Sequence, residues 1–136
     1  MNYLIDTNVI LELVKKTPNI KVLNWFKKTP DECLYISILT FGEIRKGIEM
    51  LDSTKCKEQL RAWLEHELPN WFGERVKEID VGVADRWGRL QAEMERPAPV
   101  IDSLLAATAL HSDMAIVTRN ITDFQFPQLQ TINPWD

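Results

Sequence analysis

The 136-residue sequence is poor in the residues that build thiolate metal sites and disulfide frameworks. Its two cysteines, Cys33 and Cys56, do not form a Cys-x-x-Cys pair, and its two histidines lie too far from them to complete a zinc pattern. No apolar run approaches a membrane span, and no basic segment with a long apolar stretch opens the chain. We therefore expect a cytoplasmic protein with reduced thiols, without a membrane segment or a structural zinc ion.

The sequence also lacks an excess of positive charge. Its 16 basic and 20 acidic side chains give a net charge of −4, which argues against a protein that holds nucleic acid by bulk positive charge. Hydrophobic residues make up 45% of the chain, enough for a buried core in one domain of this length. A role with nucleic acid therefore requires a local arrangement of residues.

Short apolar segments alternate with helical patterns along the chain. The predicted strands are residues 3–5, 34–37, 76–79, 115–118 and 129–132. Helical spacing between them predicts, among others, a helix capped by Thr40, one that ends at Pro69 and one that begins near Asp102. Apolar strands separated by helices indicate a parallel sheet covered on both faces. We expect one domain over residues 1–136, an α/β/α sandwich with four or five strands.

Four acidic residues fall at the edge of this predicted sheet where parallel strands end and ligands bind. They are Asp6 after the first strand, Glu43 in the first turn of a helix, Asp102 at a helix start, and Asp123 past the strand that ends at Thr118. Each alone fits a helix cap. Four together, without a lysine, arginine or glycine-rich loop at the same edge, would repel one another unless a cation neutralises them. Carboxylate oxygens suit Mg²⁺ or Mn²⁺, which activate water for phosphodiester hydrolysis.

Basic and aromatic residues near these segments offer contacts to nucleic acid. Among the arginines and lysines of these segments, Arg45 and Arg119 are candidate contacts to RNA phosphates. The Arg45-Lys46 pair equally fits a solvated helix face. The five tryptophans could stack bases or anchor a dimer, but large aromatic residues at helical spacing are more often part of the core.

The segments that carry the four acids resemble the PIN-domain ribonucleases in their order and spacing. The segments are Leu-Ile-Asp-Thr-Asn-Val-Ile at residues 4–10, Thr-Phe-Gly-Glu-Ile-Arg-Lys-Gly at 40–47, Ile-Asp-Ser-Leu-Leu-Ala-Ala-Thr-Ala at 101–109, and Val-Thr-Arg-Asn-Ile-Thr-Asp-Phe at 117–124. Within that family the chain is most similar to the VapC-type toxins of bacterial type II toxin–antitoxin pairs, particularly the FitB-like branch.

The resemblance implies a Rossmann-like PIN fold and a Mg²⁺- or Mn²⁺-dependent endoribonuclease that cleaves single-stranded RNA. It also implies a cognate antitoxin and homodimerisation. Asp6, Glu43 and Asp102 match the acids of the family, with Asp6 and Asp102 as direct metal ligands. For the fourth acid we favour Asp123 over Asn120. Polar groups expected to orient water or carboxylates around the site are Thr7, Asn8, Thr118 and Asn120.

Two other functions compete with a nuclease. A non-catalytic PIN-fold module that only binds RNA or a protein would be favoured by the loss of one acid, yet Asp6, Glu43 and Asp102 are all present. A phosphatase of the haloacid-dehalogenase kind also places an aspartate after its first strand. That chemistry needs a second aspartate two residues later, where this chain has Asn8, which does not transfer protons as a carboxylate does.

Overall fold

A five-stranded parallel sheet lies at the centre of the protein, whose computed structural model describes residues 1–136. The strands are β1 (Asn2–Ile5), β2 (Leu34–Ser37), β3 (Val76–Lys77), β4 (Met114–Val117) and β5 (Thr131–Ile132). Their order in the sheet is β3-β2-β1-β4-β5. Tyr3 pairs with Leu34 on one side of β1, and Ile5 pairs with Val117 on the other. The predicted parallel sheet is therefore confirmed, with five strands.

Helices connect the strands. They are α1 (Thr7–Glu12), α2 (Ile20–Lys28), α3 (Ile38–Glu49), α4 (Thr54–Ala62), α5 (Leu68–Phe72), α6 (Val81–Glu93) and α7 (Val100–His111). Short 3-10 turns cover Asp31–Cys33 and Ile121–Phe124, and a π-helical segment, Trp63–Glu67, joins α4 to α5. None of these helices has the length and apolar character needed to cross a membrane.

Two hydrophobic clusters cover the two faces of the sheet. Successive strand residues point to opposite faces, so Ile5 and Val117 belong to one cluster, whereas Leu4 and Ile116 belong to the other. The first cluster takes its helical residues from α1, α2, α3 and α5, and the second takes them from α6 and α7. These two layers of helices confirm the predicted α/β/α sandwich.

The topology of the sheet creates a crevice beside β1. The chain leaves β1 through α1 and α2 to reach β2, while β4 pairs with the opposite side of β1. At such a reversal the connections diverge and leave open space beyond the carboxyl ends of the central strands, which is where ligands bind in open α/β sheets. The residues after β1 and β4 therefore face the same crevice.

Several predicted boundaries were wrong, each for a local reason. Ser37, not Thr40, caps α3, because the helix follows β2 without an intervening turn and the Ser37 hydroxyl accepts from Leu39 N–H at 3.1 Å. The helical segment does not end at Pro69, because proline is tolerated in the first turn of α5, where an N–H needs no helical partner. Helix α7 begins at Val100, two residues before Asp102.

Candidate active site

Asp6 lies at the centre of the crevice between β1 and β4. It caps α1, and its Oδ1 accepts from the Thr7 backbone N–H at 2.8 Å. Its Oδ2 accepts from the Thr118 hydroxyl at 2.8 Å, which joins the ends of the two central strands. Burial raises the pKa of Asp6 most, the hydrogen bonds from Thr118 and Thr7 lower it, and the charges of Glu43 and Asp123 raise it again. The balance is a raised pKa for a carboxyl that is held rigidly in place.

Asp102 lies in the first turn of α7 and faces the same acids. The structure shows no side-chain hydrogen bond that caps this helix. Burial raises the pKa of Asp102 most, and the charges of Asp6, Asp123 and Glu43 raise it further. Asp102 therefore makes no capping hydrogen bond, and it lies near enough to the other three acids for their charges to raise its pKa.

Glu43 lies in the second turn of α3, not in the first turn as predicted, because the helix begins at Ile38. This position is too far along the helix for a cap. Its exposed carboxylate accepts a hydrogen bond from the Thr7 hydroxyl, with 2.7 Å between Oγ1 and Oε1. Thr7 therefore contacts two acids, Asp6 through its backbone and Glu43 through its side chain. We call Asp6, Glu43, Asp102 and Asp123 together the acidic crevice.

The loop after β4 carries the fourth acid. Asp123 lies in the 3-10 turn Ile121–Phe124, and its charge raises the pKa of both Asp6 and Asp102. Asn120 contributes through its backbone, since its N–H donates to the Thr118 hydroxyl at 3.0 Å. Asn8 Oδ1 accepts from Arg119 N–H at 3.4 Å and so ties α1 to this loop. The charge of Asp123 thus acts on Asp6 and Asp102, whereas Asn120 contacts Thr118 through its backbone.

The acidic crevice has no basic side chain in an ion pair with it. None of the five ion pairs in the structure includes Asp6, Glu43, Asp102 or Asp123. Arg45, predicted to contact RNA, donates instead to Glu65 at 2.8 Å and lies 3.5 Å from Glu49. Arg45 therefore forms ion pairs at the surface of α3, in agreement with its interpretation as part of a solvated helix face. The four carboxylates therefore repel one another without compensation from the protein.

The donor set of the crevice fits a hard divalent cation. It consists of carboxylate oxygens, and a cation between them would offset the repulsion that raises the pKa of Asp6 and Asp102. No three acidic, histidine or cysteine side chains converge closely enough to enclose a metal ion. Mg²⁺ needs no such cage, because it commonly binds one or two carboxylates and keeps several water molecules.

A hydrogen-bonded loop forms one wall beside Asp102. Gln91 on α6 bonds Ala98 twice, from its Nε2 to the carbonyl at 3.0 Å and from the Ala98 N–H to its Oε1 at 2.9 Å. The buried Ser103 hydroxyl accepts from Trp87 Nε1 at 2.9 Å and donates to the Pro99 carbonyl at 2.6 Å. Between this loop and Asp123 lies an open cavity of about 350 Å³. The sequence gives no signal for the roles of Gln91 and Ser103, which depend on contacts between α6 and α7.

Other polar features have structural roles. A second cavity, of about 320 Å³, lies beside His111 and contains none of the four acids. His111 ends α7 and packs against Gly82, where a Cβ would come within 2.5 Å of the imidazole Cε1. Asp85 pairs with Arg89 at 3.0 Å on the exposed side of α6. Tryptophans 25, 63 and 71 pack against the first hydrophobic cluster.

Comparison with known proteins identifies relatives over nearly the whole chain. The model of the family described as PIN domain matches residues 3–125. The plasmid stability protein StbB of Pseudomonas syringae pv. tomato is 34% identical over 98% of both chains. The VapC ribonuclease Y4jK of Sinorhizobium fredii is 33% identical over 97% of this chain and 96% of its own. The toxin FitB of Neisseria gonorrhoeae is 30% identical over 97% of each.

Solved structures share the same fold. The crystal structure of FitAcB from Neisseria gonorrhoeae superposes with a TM-score of 0.91 at 29% identity, over 98% of both chains. The structure of FitAB bound to a DNA fragment, IR36, gives a TM-score of 0.90 at 29% identity, over 98% of this chain and 96% of the other. These structures share the fold of this chain over nearly its whole length.

Proposed function

The chain belongs to the PIN domain family, and from that premise we propose that it is a divalent-metal-dependent endoribonuclease toxin that cleaves single-stranded RNA. The relatives named as a VapC ribonuclease and as a toxin support this assignment. The observation that carries it is the acidic crevice, where Asp6 and Asp102 have raised pKa values and no basic partner. We take residues 1–136 as one catalytic domain.

We propose Asp6 and Asp102 as the metal ligands, with Mg²⁺ or Mn²⁺ as the ion. When bound, the ion would supply an activated water and offset charge on the phosphate. The chain's own contribution is positional: Thr118 and Thr7 fix both oxygens of Asp6, while the Gln91 and Ser103 bonds hold the loop that leads to Asp102. Glu43 and Asp123 complete the set of acids and orient water.

The open cavity between Asp123 and the Pro97-Ala98-Pro99 loop supports RNA as the substrate. At about 350 Å³ it is at the lower end of the range for small-molecule sites, a size suited to part of a nucleotide rather than to a large cofactor. It shares Asp102 and Asp123 with the acidic crevice, so that a strand lying across the acids can extend into it. A single strand bends into such a site more readily than a duplex does.

The test is cleavage of a labelled single-stranded RNA by protein freed of any antitoxin. We expect cleavage with Mg²⁺ or Mn²⁺, none with a chelator, and none for Asp6→Asn, which keeps the shape of the side chain but removes its charge. Cleavage that persists in the chelator would contradict the metal requirement. RNA binding without cleavage under any divalent ion would favour the non-catalytic binding module.

We further propose that a cognate antitoxin neutralises the protein, that it forms a homodimer and that it acts in the cytoplasm. The similarity to a chain in the FitAcB and FitAB structures supports the antitoxin. Co-expression with the product of the adjacent reading frame tests it, because a small protein that co-purifies and relieves growth arrest is expected. Growth arrest that no neighbouring product relieves would contradict it, and light scattering of the isolated chain tests the homodimer.

The phosphatase alternative loses support from the position of Asn8. Its Oδ1 accepts from Arg119 N–H, so that the side chain ties α1 to the loop after β4. An amide in this structural role does not act as the acid and base that aspartyl-phosphate chemistry requires. Failure to form an acid-stable phosphoenzyme with phosphate donors would be expected.

A further inference from the structure

Arg119 carries a positive charge one residue beyond Thr118 and has no carboxylate partner. It follows Thr118, whose hydroxyl donates to Asp6, yet Arg119 appears in none of the five ion pairs and its side chain is exposed. Its charge is not among the causes that set the pKa of Asp6 or Asp102. The guanidinium is therefore available to an anion that comes from outside the chain.

Among the carboxylates with a shifted pKa, Glu12 is the one that the charge of Arg119 affects, and its oxygens already have partners. Its Oε1 lies 2.7 Å from Lys15 Nζ, and its Oε2 accepts from Asn19 N–H at 2.9 Å. Lys15 and Asn19 are the main causes of the lowered pKa of Glu12, and Arg119 is the least of those identified. Both carboxylate oxygens of Glu12 thus have partners other than Arg119.

The backbone of Arg119 is held on both sides. Its N–H donates to Asn8 Oδ1 at 3.4 Å, and its carbonyl accepts from Asn133 Nδ2 at 3.5 Å. Asn133 Oδ1 in turn accepts from Trp135 N–H at 2.9 Å. Although each contact to Arg119 is long, together they connect the loop after β4 to the segment after β5 and place Arg119 next to Trp135.

The guanidinium of Arg119 lies over the ring of Trp135, with 4.9 Å between Cζ and the ring centroid. Trp135 also packs against the first hydrophobic cluster, which holds the ring in place. A guanidinium stacked on an aromatic face keeps its N–H donors in its own plane, directed away from the ring. Such a preorganised fork matches the oxygens of a phosphate.

We propose that Arg119, positioned by Trp135, binds a phosphate of the RNA substrate. The inference rests on the proposed ribonuclease function and adds a substrate contact to the same site. This contact explains how an acidic chain binds RNA. The acids bind the metal ion, and the guanidinium of Arg119 binds a phosphate. Trp135 is a positioning residue here, since its ring is covered by the guanidinium rather than by a base.

The test measures RNA binding by fluorescence anisotropy at several salt concentrations, in an Asp6→Asn background that prevents cleavage. For Arg119→Gln we expect Kd to rise about tenfold and the slope of log Kd against log salt to lose about 0.7, the value of one phosphate contact on a single strand. Trp135→Ala should raise Kd in the same direction by a smaller factor, and Trp135→Phe should restore most of the binding. Arg89→Gln, on the exposed side of α6, is the matched control and should leave both quantities unchanged.

The double variant Arg119→Gln/Trp135→Ala distinguishes positioning from direct stacking. If Trp135 acts through Arg119, the double variant binds no more weakly than Arg119→Gln alone. Effects that multiply would show that Trp135 contacts RNA itself, which overturns its positioning role. Unchanged Kd and salt slope for Arg119→Gln overturn the phosphate site.

Two controls keep the outcomes separate. Thermal unfolding checks that each variant is folded. If Trp135→Ala does not fold, the binding measurements on Arg119→Gln and Trp135→Phe still test the phosphate site. Cleavage by the chain with intact Asp6 is measured independently. If that chain fails to cleave RNA while Arg119-dependent binding persists, the ribonuclease proposal fails and the phosphate site stands.

Discussion

The protein collects charged side chains in two regions with opposite electrostatics. On α3, α4 and the π-helical segment, the paired surface consists of Arg45, Glu49, Arg61 and Glu65, in which each carboxylate has an arginine partner. The hydrogen bond from Arg61 lowers the pKa of Glu49, and that from Arg45 lowers the pKa of Glu65. In the acidic crevice, burial and neighbouring acids raise the pKa of Asp6 and Asp102 instead.

The difference in charge pairing between the two regions supports the acidic crevice as the functional site. The paired surface shows that the chain compensates clustered acids where they serve only the fold. The acidic crevice has four acids and no basic partner for any of them. Burial and mutual repulsion raise the pKa of Asp6 and Asp102, which is a free-energy cost to the folded chain. Such a cost is typical of a site whose compensating charge arrives with a ligand.

The largest expected effect distinguishes the two regions by activity. Asp102→Asn should reduce the rate of RNA cleavage by on the order of a thousandfold, because it removes a proposed metal ligand without changing the side-chain shape. Glu49→Gln makes the same chemical change on the paired surface and should leave the rate unchanged. Single-turnover cleavage of a labelled RNA gives both rates. Equal losses in the two variants would mean that the crevice has no special role.

A second effect concerns which residue of the loop after β4 completes the crevice. Asp123→Asn should slow cleavage by roughly 10- to 100-fold, since its charge acts on both Asp6 and Asp102. Asn120→Ala should change the rate by less than about threefold, because Asn120 contacts Thr118 through its backbone N–H. The reverse order of these effects would assign the role to Asn120.

A third effect is the opposite pH dependence of stability in the two regions. The raised pKa of Asp102 means that the folded chain binds this proton more tightly than the unfolded chain does. Without metal, stability should therefore fall as pH rises from about 4, the ordinary range of the carboxyl, through the raised pKa. Asp102→Asn should gain stability over the wild type across that window and keep the gain above it.

Glu49 provides the matched case of opposite sign. Its lowered pKa contributes stability above the ordinary pKa of a glutamate, and this contribution is lost as pH falls through the folded pKa. The deficit of Glu49→Gln should therefore be largest at neutral pH and vanish in acid. Denaturant unfolding in a chelating buffer from pH 3 to 8 measures both variants. Parallel curves for the two would contradict the electrostatic difference between the regions.

The smallest expected effect is the loss of one pair from the paired surface. Arg61→Gln breaks the contact to Glu49, 3.0 Å from Nη2 to Oε1, and should lower Tm only slightly, because exposed ion pairs are weak and screened by salt. Cleavage should be unchanged. Differential scanning calorimetry at low and high salt checks the effect, and a large decrease in Tm or in cleavage would show that this surface does more than pair charges.

Much of the fold could be predicted because its signals are local. The apolar run before Asp6, the amide of Asn19 as a cap and the lysines at 27 and 28 all act within a few residues of the elements they define. The predictions that Thr40 caps a helix and that a helix ends at Pro69 were wrong. A capping residue or a proline favours a local conformation, but the neighbouring element determines where the helix begins or ends. Ser37 ends β2 and caps α3 at once, which a residue-by-residue pattern does not reveal.

The acids of the crevice could be predicted, whereas the contacts that hold them could not. The ends of β1 and β4 place Asp6 and Asp123 at one edge of the sheet, and the proline-marked start of α7 places Asp102 there. The bond from Thr118 to Asp6 and the stacking of Arg119 on Trp135 depend on which strands are neighbours and on side-chain direction. The partner of Arg45 likewise lies 20 residues away, on the π-helical segment.

The most direct test of the central claim is calorimetric titration of Mn²⁺ into the chain freed of antitoxin. We predict one saturable binding event in the wild type and in Glu49→Gln, and none in Asp6→Asn or Asp102→Asn at the same concentrations. Because Asp6 and Asp102 hold protons more tightly than ordinary carboxyls, binding should release more protons as pH falls toward their pKa. A wild type that binds no Mn²⁺, or an Asp6→Asn variant that binds it equally well, would contradict the claim that the acidic crevice is the metal-dependent active site.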